Sequence, residues 1–211
     1  MESAKYWNDR YRSGVGAGAG SRGRLYEFKL RTVQDIVNRY KVKSVVDVGC
    51  GDGGQLMSLE VAKYHGLDIS TIAIEAASSY ATKNRIYQII EPDTIAKGKV
   101  ADMAISLDVI QHLPDDQFEA HIDLLFRLAK KYVLIYAPNH SGEGLKLASH
   151  MYFRESDGWI DIAVNHGFFE SERLFNEYPA DARLLPDTSF SEFFLYEMVK
   201  PTAKKGVDVK D

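Results

Sequence analysis

Cysteine is nearly missing from the chain: its 211 residues include one, Cys50. That excludes an internal disulfide framework and a cysteine-rich zinc centre, and it fits a reducing compartment. Long apolar runs are missing as well. No stretch approaches the roughly 20 residues a bilayer span needs, and the opening MESAKYWNDRYR lacks the apolar core of a secretion signal. The expectation is a cytoplasmic protein with no membrane partner. An excess of positive charge is also missing, since 26 Lys and Arg face 30 Asp and Glu for a net −4. Affinity built on phosphate neutralisation is therefore not expected, and no nucleic acid is foreseen as partner. There is no internal repeat. The length suits one α/β domain, over 1–200, and an apolar content of 45% is enough to give it a core.

Glycine, by contrast, is concentrated. Gly14 to Gly23 reads GVGAGAGSRG, and so many residues that lose maximal backbone entropy on ordering cannot hold a helix. A mobile loop is expected over 13–24, between a short helix near 3–12 and a longer one over 25–40. The longer one carries Leu25, Phe28, Val33, Ile36, Val37 and Tyr40 at helical spacing. Beyond it, strands are read at 44–48, 63–69, 85–90, 100–107 and 132–136, and near 168–178 and 190–199. Helices are read at 71–83, with Ser70 as N-cap, at 115–130 and around 154–165. Residues 201–211 are polar and read as a frayed tail. Alternating strands and helices imply parallel pairing, and the last two strands, joined by a loop alone, imply an antiparallel pair. The fold expected is α/β: a doubly wound, Rossmann-like sheet of seven strands, mostly parallel, with one antiparallel strand and helices on both faces.

The first strand ends in Asp47-Val48-Gly49-Cys50-Gly51-Asp52-Gly53. Gly49, Gly51 and Gly53 permit a tight turn that a ligand can approach closely. The spacing Gly49-x-Gly51-x-x-Gly54 also satisfies a dinucleotide fingerprint, so a nicotinamide-binding oxidoreductase is one reading. Asp47 argues otherwise: a carboxylate there repels a pyrophosphate and suits an ammonium. Asp68, ending the next strand, can accept both hydroxyls of a ribose, as acids in nicotinamide enzymes also do.

With its neighbours the turn resembles a known family. Val46 to Gly53 resembles the first signature of class I S-adenosylmethionine-dependent methyltransferases. Gly66-Leu67-Asp68-Ile69-Ser70 resembles the second, and Ala101 to Leu113 the fourth-strand segment. The opening Tyr6-Trp7-Asn8-Asp9-Arg10-Tyr11 is similar to the lead-in of many small members, whose N-terminus, here with Tyr11, folds over the cofactor. The resemblance implies S-adenosyl-L-methionine as cofactor. It places Asp47 and Gly49 at the methionine end, with Gly51 and Gly53 shaping the turn. Asp68 then takes the ribose, Ile69 packs on the adenine, and Leu107 and Asp108 lie beside the methionine end. Glu91 or Asp93 would meet the adenine amine. The glycine loop becomes a lid, and Cys50 a small turn filler.

Methyl transfer asks for alignment and, with a hydroxyl acceptor, for a group that takes its proton. Two histidines follow strand ends. His112, four residues after Asp108, is the first choice of base, with Asp108 orienting it. His140 is the second. His65, in a strand, and His121, on a helix, read as structural or exposed. A magnesium variant would use Asp108 with Asp115 or Asp116 and Asn139. The acceptor is narrowed by what is missing. No Asp/Asn-Pro-Pro-aromatic tetrapeptide, no catalytic Pro-Cys pair and no paired-glutamate hairpin is visible. The YWxxRY start, the glycine-serine loop and the Phe28-Lys29 pair resemble small methyltransferases found with glycan-building enzymes. That implies O-methylation of a sugar hydroxyl and a place in a larger polypeptide with glycosyltransferases. Rival expectations are another small hydroxylated acceptor, a small-molecule amine or carboxylate, and a non-catalytic scaffold. Tyr152, Phe153, Trp159, Phe168, Phe169, Phe175 and Tyr178 read as core or as stacking surface for a sugar.

Overall fold

The run Ser-Val-Val-Asp-Val forms β1 (Ser44–Val48), buried along almost its whole length at the middle of the sheet. In this computed structural model, which describes residues 2–91, 98–143, 150–181 and 187–199, β1 pairs in parallel with β2 (Lys63–Asp68) on one side and β4 (Ala101–Leu107) on the other. The sheet continues outward to β3 (Arg85–Ile89) and, past β4, to β5 (Ala129–Pro138). Then β7 (Ser191–Met198) runs antiparallel between β5 and β6 (Phe168–Leu174), giving the order β3-β2-β1-β4-β5-β7-β6. This is the seven-stranded sheet with one reversed strand that the pattern predicts. Strand order reverses between β1 and β4, where open parallel sheets form ligand clefts.

Alternation along the strands puts helices on both faces. Val46, Val48 and Ala104 pack with Phe118, Ile122 and Leu125 of α4 (Asp115–Leu128) and with Trp159 of α5 (Asp157–Asn165). Val45, Met103 and Ile105 pack with Phe28, Val33 and Ile36 of α2 (Gly23–Arg39) and with Ile74 and Ala77 of α3 (Thr71–Ala77). α1 (Glu2–Arg12) lies outside these layers. Among the described residues no helix is long and apolar enough to cross a membrane.

Some boundaries differ from the pattern, for local reasons. α3 stops at Ala77 and tightens into a 3-10 turn over Ser78–Tyr80, because Ser78 Oγ donates to Ile74 O (2.7 Å) and Ser79 Oγ to Ala76 O (2.8 Å), competing with the helical ladder. α5 starts at Asp157 rather than 154; Arg154 lies outside the helix, its guanidinium donating to Leu113 O (2.9 Å) and Tyr152 O (3.1 Å). β5 begins directly after α4, at Ala129, which pairs with Ala101. The glycine segment contains a 3-10 turn at Ala19–Ser21, and Arg10 Nε holds it by donating to Gly16 O (2.9 Å). The tail at 201–211 lies outside the described residues.

Of the C-terminal aromatic residues, Trp159 and Phe168 are core. Trp159 Nε1 donates to Tyr196 OH at 2.9 Å. Tyr152, Phe169 and Phe175 are exposed.

Candidate active-site cleft

The turn after β1 is tied to the end of β2. Gly49 N and Cys50 N both donate to Leu67 O, at 2.7 and 3.0 Å, and Gly51 N donates to Asp68 Oδ2 at 2.9 Å. Two glycines are required here by backbone angle and by space. Gly49 has φ +90 and a Cβ would run into Val109; Gly51 has φ +57 and a Cβ would run into the Tyr11 hydroxyl. The turn therefore presents bare backbone to a cleft lined by Asp47, Gly49, Gly51, Asp68, Ile69 and Leu107, among others. Gly53, at φ +75, closes the turn where a Cβ would meet Tyr87 at 2.9 Å.

Two buried carboxylates face this cleft. Asp47 Oδ2 accepts from Tyr64 OH at 2.6 Å, and burial pushes its pKa up to about 7 against the pull of that hydrogen bond. Asp68 holds the turn: its second oxygen, Oδ1, accepts from Ser70 N at 2.8 Å. Burial raises its pKa, opposed by the backbone donors of Ser70, Gly51 and Ile69. Three backbone N–H groups thus meet the two Asp68 oxygens, fewer than the roughly four hydrogen bonds a carboxylate can accept, which leaves acceptor capacity for a ligand. Burial and the neighbouring carboxylates raise the Cys50 thiol well above its ordinary value, so it stays protonated and inert, a filler of the turn.

α1 is docked across the cleft at both ends. Asn8 Oδ1 accepts from Ser70 Oγ (2.7 Å) and Ile72 N (3.3 Å) at the start of α3, and Ser3 Oγ donates to Gln117 Oε1 (2.8 Å) in the first turn of α4. Trp7, between these anchors, and Tyr11, about one turn beyond Asn8, enter the lining. The Tyr11 hydroxyl bonds the Asp52 backbone, and burial raises its pKa. The glycine segment runs along the same opening. Ala17 and Ser21 line it, and a Cβ on Gly20 would stand 3.4 Å from Asp108 Oδ2.

Asp108 sits at the end of β4 with a left-handed backbone, φ +57, unusual for a residue with a side chain. It does not orient His112, contrary to the expectation from sequence. Its Oδ2 is bound by Lys29 Nζ at 2.6 Å, and its Oδ1 accepts from Gln111 Nε2 (3.2 Å) and Ser191 Oγ (3.3 Å). Lys29 is only 1% exposed. The sequence offered a signal for it: Lys29 stands four residues from both Leu25 and Val33, inside the apolar stripe of α2.

His112 lines the cleft, with its ring against Trp7 (5.3 Å between centroids) and stacked on His150 (5.4 Å). Desolvation lowers its pKa, which keeps the imidazole neutral. His140 is exposed and outside the cleft lining. Its Nδ1 accepts from Gly142 N at 2.7 Å, which turns the neutral ring's proton onto Nε2 and leaves no bare nitrogen. It is therefore not placed as a base. His121, read as structural or exposed, instead lines the cleft, with Nε2 2.9 Å from Ser106 Oγ.

The magnesium grouping is not formed. Asp108 pairs with Lys29, Asp115 with Arg154, and Asn139 Oδ1 accepts from Ser156 N at 2.9 Å. Among the described residues no three His, Cys, Asp or Glu side chains converge on one point. Glu91 is exposed and not part of the lining, and Asp93 lies outside the described residues.

The donor set suits a nucleoside with an amino-acid tail: acids for an ammonium and a diol, apolar walls for a base, bare backbone between. Comparison with known proteins agrees. Residues 22–182 match a family model described as a methyltransferase domain. A small RNA 2'-O-methyltransferase of Gallus gallus is 29% identical over 136 residues, covering 54% of this chain and 36% of that protein. A ubiquinone biosynthesis O-methyltransferase of Actinobacillus pleuropneumoniae is 26% identical over 102 residues, 43% of this chain and 44% of that one. The chain thus spans less than half the length of these curated relatives. Among solved structures, magnesium protoporphyrin IX methyltransferase of Synechocystis PCC 6803 with bound SAH (S-adenosylhomocysteine) superposes with a TM-score of 0.70 at 20% identity, over 93% of this chain and 98% of that one.

Proposed function

The chain belongs to the methyltransferase domain family, and we propose that it uses S-adenosylmethionine to methylate a hydroxyl oxygen of a small polyhydroxylated acceptor, with a sugar hydroxyl of a glycan as first candidate. The observation that carries this reading is the pair of buried carboxylates, Asp47 and Asp68, on adjacent strand ends beside a backbone turn, with a neutral histidine on the wall of the same cleft. Both curated relatives are named O-methyltransferases. The net charge of −4 weighs against an RNA acceptor.

Bound, the donor supplies a sulfonium-activated methyl group open to in-line displacement. Asp47 pairs with its ammonium, and Asp68 takes the ribose with the acceptor capacity that the N–H groups of Gly51, Ile69 and Ser70 leave. Ile69 packs on the adenine, while Leu107 and Asp108 border the methionine end. Trp7, Tyr11 and the 13–24 segment act as a lid that excludes water. His112 takes the hydroxyl proton as the acceptor oxygen bonds the methyl carbon. Its Nδ1 lies 3.4 Å from His150 O, so a proton on Nδ1 points at that carbonyl and Nε2 is bare. Exposed Tyr152 and Phe190 are tied to the partners of Asp108. Tyr152 N donates to Gln111 O (2.7 Å), and Phe190, 5.6 Å from Phe153, adjoins Ser191, the Asp108 partner. They give a sugar face something to stack on.

The test is a panel of neutral glycans, small alcohols and phenols, amines and carboxylic acids incubated with labelled donor and read by mass. Methyl gain on oxygen of a hydroxylated compound is expected; gain confined to amines or carboxylates would sink the reading. With the acceptor found, His112→Ala should slow transfer about 10²-fold while SAH affinity stays nearly constant. An unchanged rate would remove His112 from the chemistry. Asp68→Ala should weaken SAH binding by about 1–3 kcal/mol in calorimetry, through lost charge-assisted hydrogen bonds.

A further inference from the structure

His121 is a polar group of the cleft with no part in methyl transfer or in holding the donor's ammonium and ribose. His121 sits on α4 beside the core stripe of Phe118, Ile122 and Leu125, and its ring borders the cleft. Its Nε2 is 2.9 Å from Ser106 Oγ, and Ser106 is fully buried in β4. His121 as a residue keeps some accessible surface, yet its imidazole lies deep enough that desolvation alone pushes its pKa down to about 4. Both facts hold together if that surface opens into the cleft and not to bulk water. The imidazole is then neutral, and Ser106 occupies one of its two nitrogens. Among the described residues Nδ1 has no protein partner.

A free imidazole nitrogen on the wall of a cleft is a fixed hydrogen-bonding position that a ligand can take over from water. Its neighbours in the lining indicate which part of a ligand that is. Ile69 follows β2, Ile90 follows β3 and Leu113 precedes α4: apolar side chains that suit a flat ring with a polar edge. The Lys29–Asp108 pair instead reaches toward β7 through Ser191, on the side of β4 away from β2 and β3.

We propose that His121 is a specificity-determining residue for the donor's nucleobase: its Nδ1 makes one hydrogen bond to the adenine edge, and Ser106 fixes the tautomer in which it does so. The inference rests on the donor assigned above. If Ser106 Oγ donates to Nε2, Nδ1 carries the proton and meets a ring nitrogen of adenine. If Nε2 donates to Ser106, bare Nδ1 accepts from the exocyclic amine.

Calorimetric titration of the full chain with SAH, S-inosylhomocysteine and the 1-, 3- and 7-deaza analogues of SAH separates these cases. Wild-type binding of SAH tests the donor assignment by itself; its absence would overturn both. His121→Phe keeps the ring and removes both nitrogens. It is expected to bind SAH about tenfold more weakly, the equivalent of one hydrogen bond. It should also lose the discrimination the wild type shows against one analogue: the inosine compound if Nδ1 accepts, a deaza compound if Nδ1 donates. A purely structural role would weaken all five ligands alike and leave their ratios at the wild-type values, and that result would overturn the proposal. Ser106→Ala, which lies behind the cleft wall, serves as the second variant. It should narrow the same ratio several-fold, and unchanged ratios in both variants would be equally fatal.

Discussion

Lys29→Met is expected to destabilise the fold by about 3–5 kcal/mol, the cost of leaving one member of a buried ion pair without its partner. The two partners are 2.6 Å apart, with side-chain exposures of 1% for Lys29 and 24% for Asp108. Methionine fills the space of the lysine stem, so packing changes little and the charge accounts for the effect. What remains is a carboxylate held by Gln111 and Ser191 on a left-handed backbone, with its strongest partner gone. Because Asp108 keeps some access to the cleft, water can relieve part of the penalty, which favours the lower end of the range. For a domain of this size that is a fall in Tm of about 10 °C. Urea unfolding of the double variant Lys29→Met/Asp108→Asn separates charge from volume. With both charges removed, most of the lost stability should return. If the double variant is no more stable than Lys29→Met, the lysine acts through its packing and not through Asp108.

That pair also marks the limit of what the sequence discloses. The sheet is legible because its strands are short β-branched or apolar runs that stop at glycine, aspartate or proline, and because a loop without a helix precedes the reversed strand. The glycine turn and Asp47 and Asp68 are legible because they are contiguous with strand ends. Lys29 and Asp108 are 79 residues apart, and nothing in local spacing says that they meet. A lysine inside an apolar stripe signals that its head group needs a buried partner but does not name the partner. His140 shows the converse error. Position after a strand end made it a candidate, yet a two-residue turn that donates Gly142 N to its Nδ1 fixes the ring outside the cleft. In sequence a helical histidine such as His121 reads as structural or exposed, and only the packing of α4 against β4 reveals that its ring meets Ser106. The short α3 has the same origin: Ser78 and Ser79 bond to their own helix, a side-chain choice that apolar periodicity does not weigh.

Cofactor affinity should depend on pH through Asp47, and Asp47→Asn should both weaken binding and stabilise the protein. In the free chain burial pushes this carboxyl to about 7, with the Tyr64 hydroxyl, Asp68, Arg85 and Lys29 as the groups that act on it. An ammonium paired with the carboxylate requires it ionised. Below pH 7 binding must therefore expel a proton, and SAH affinity is expected to fall about tenfold for each unit of acidification, with a plateau above pH 7. Asn cannot ionise. The variant should bind SAH about 10²–10³-fold more weakly at pH 8, as expected for a lost buried charge pair, and its affinity should be flat across the pH range in which the wild type varies. Stability moves the other way. The folded carboxyl holds its proton more tightly than the unfolded one, whose value is near 3.9. Wild-type stability is therefore lost as pH rises from that value through 7. Asn keeps an oxygen for Tyr64 OH and carries no such penalty, so at pH 8 the variant should be the more stable by about 2–4 kcal/mol. Thermal melts and SAH titrations of both proteins from pH 5 to 8 check the two halves together. A wild-type affinity independent of pH, or an Asn variant that melts below the wild type at pH 8, would show that Asp47 is ionised before the donor arrives and that burial does not govern its charge.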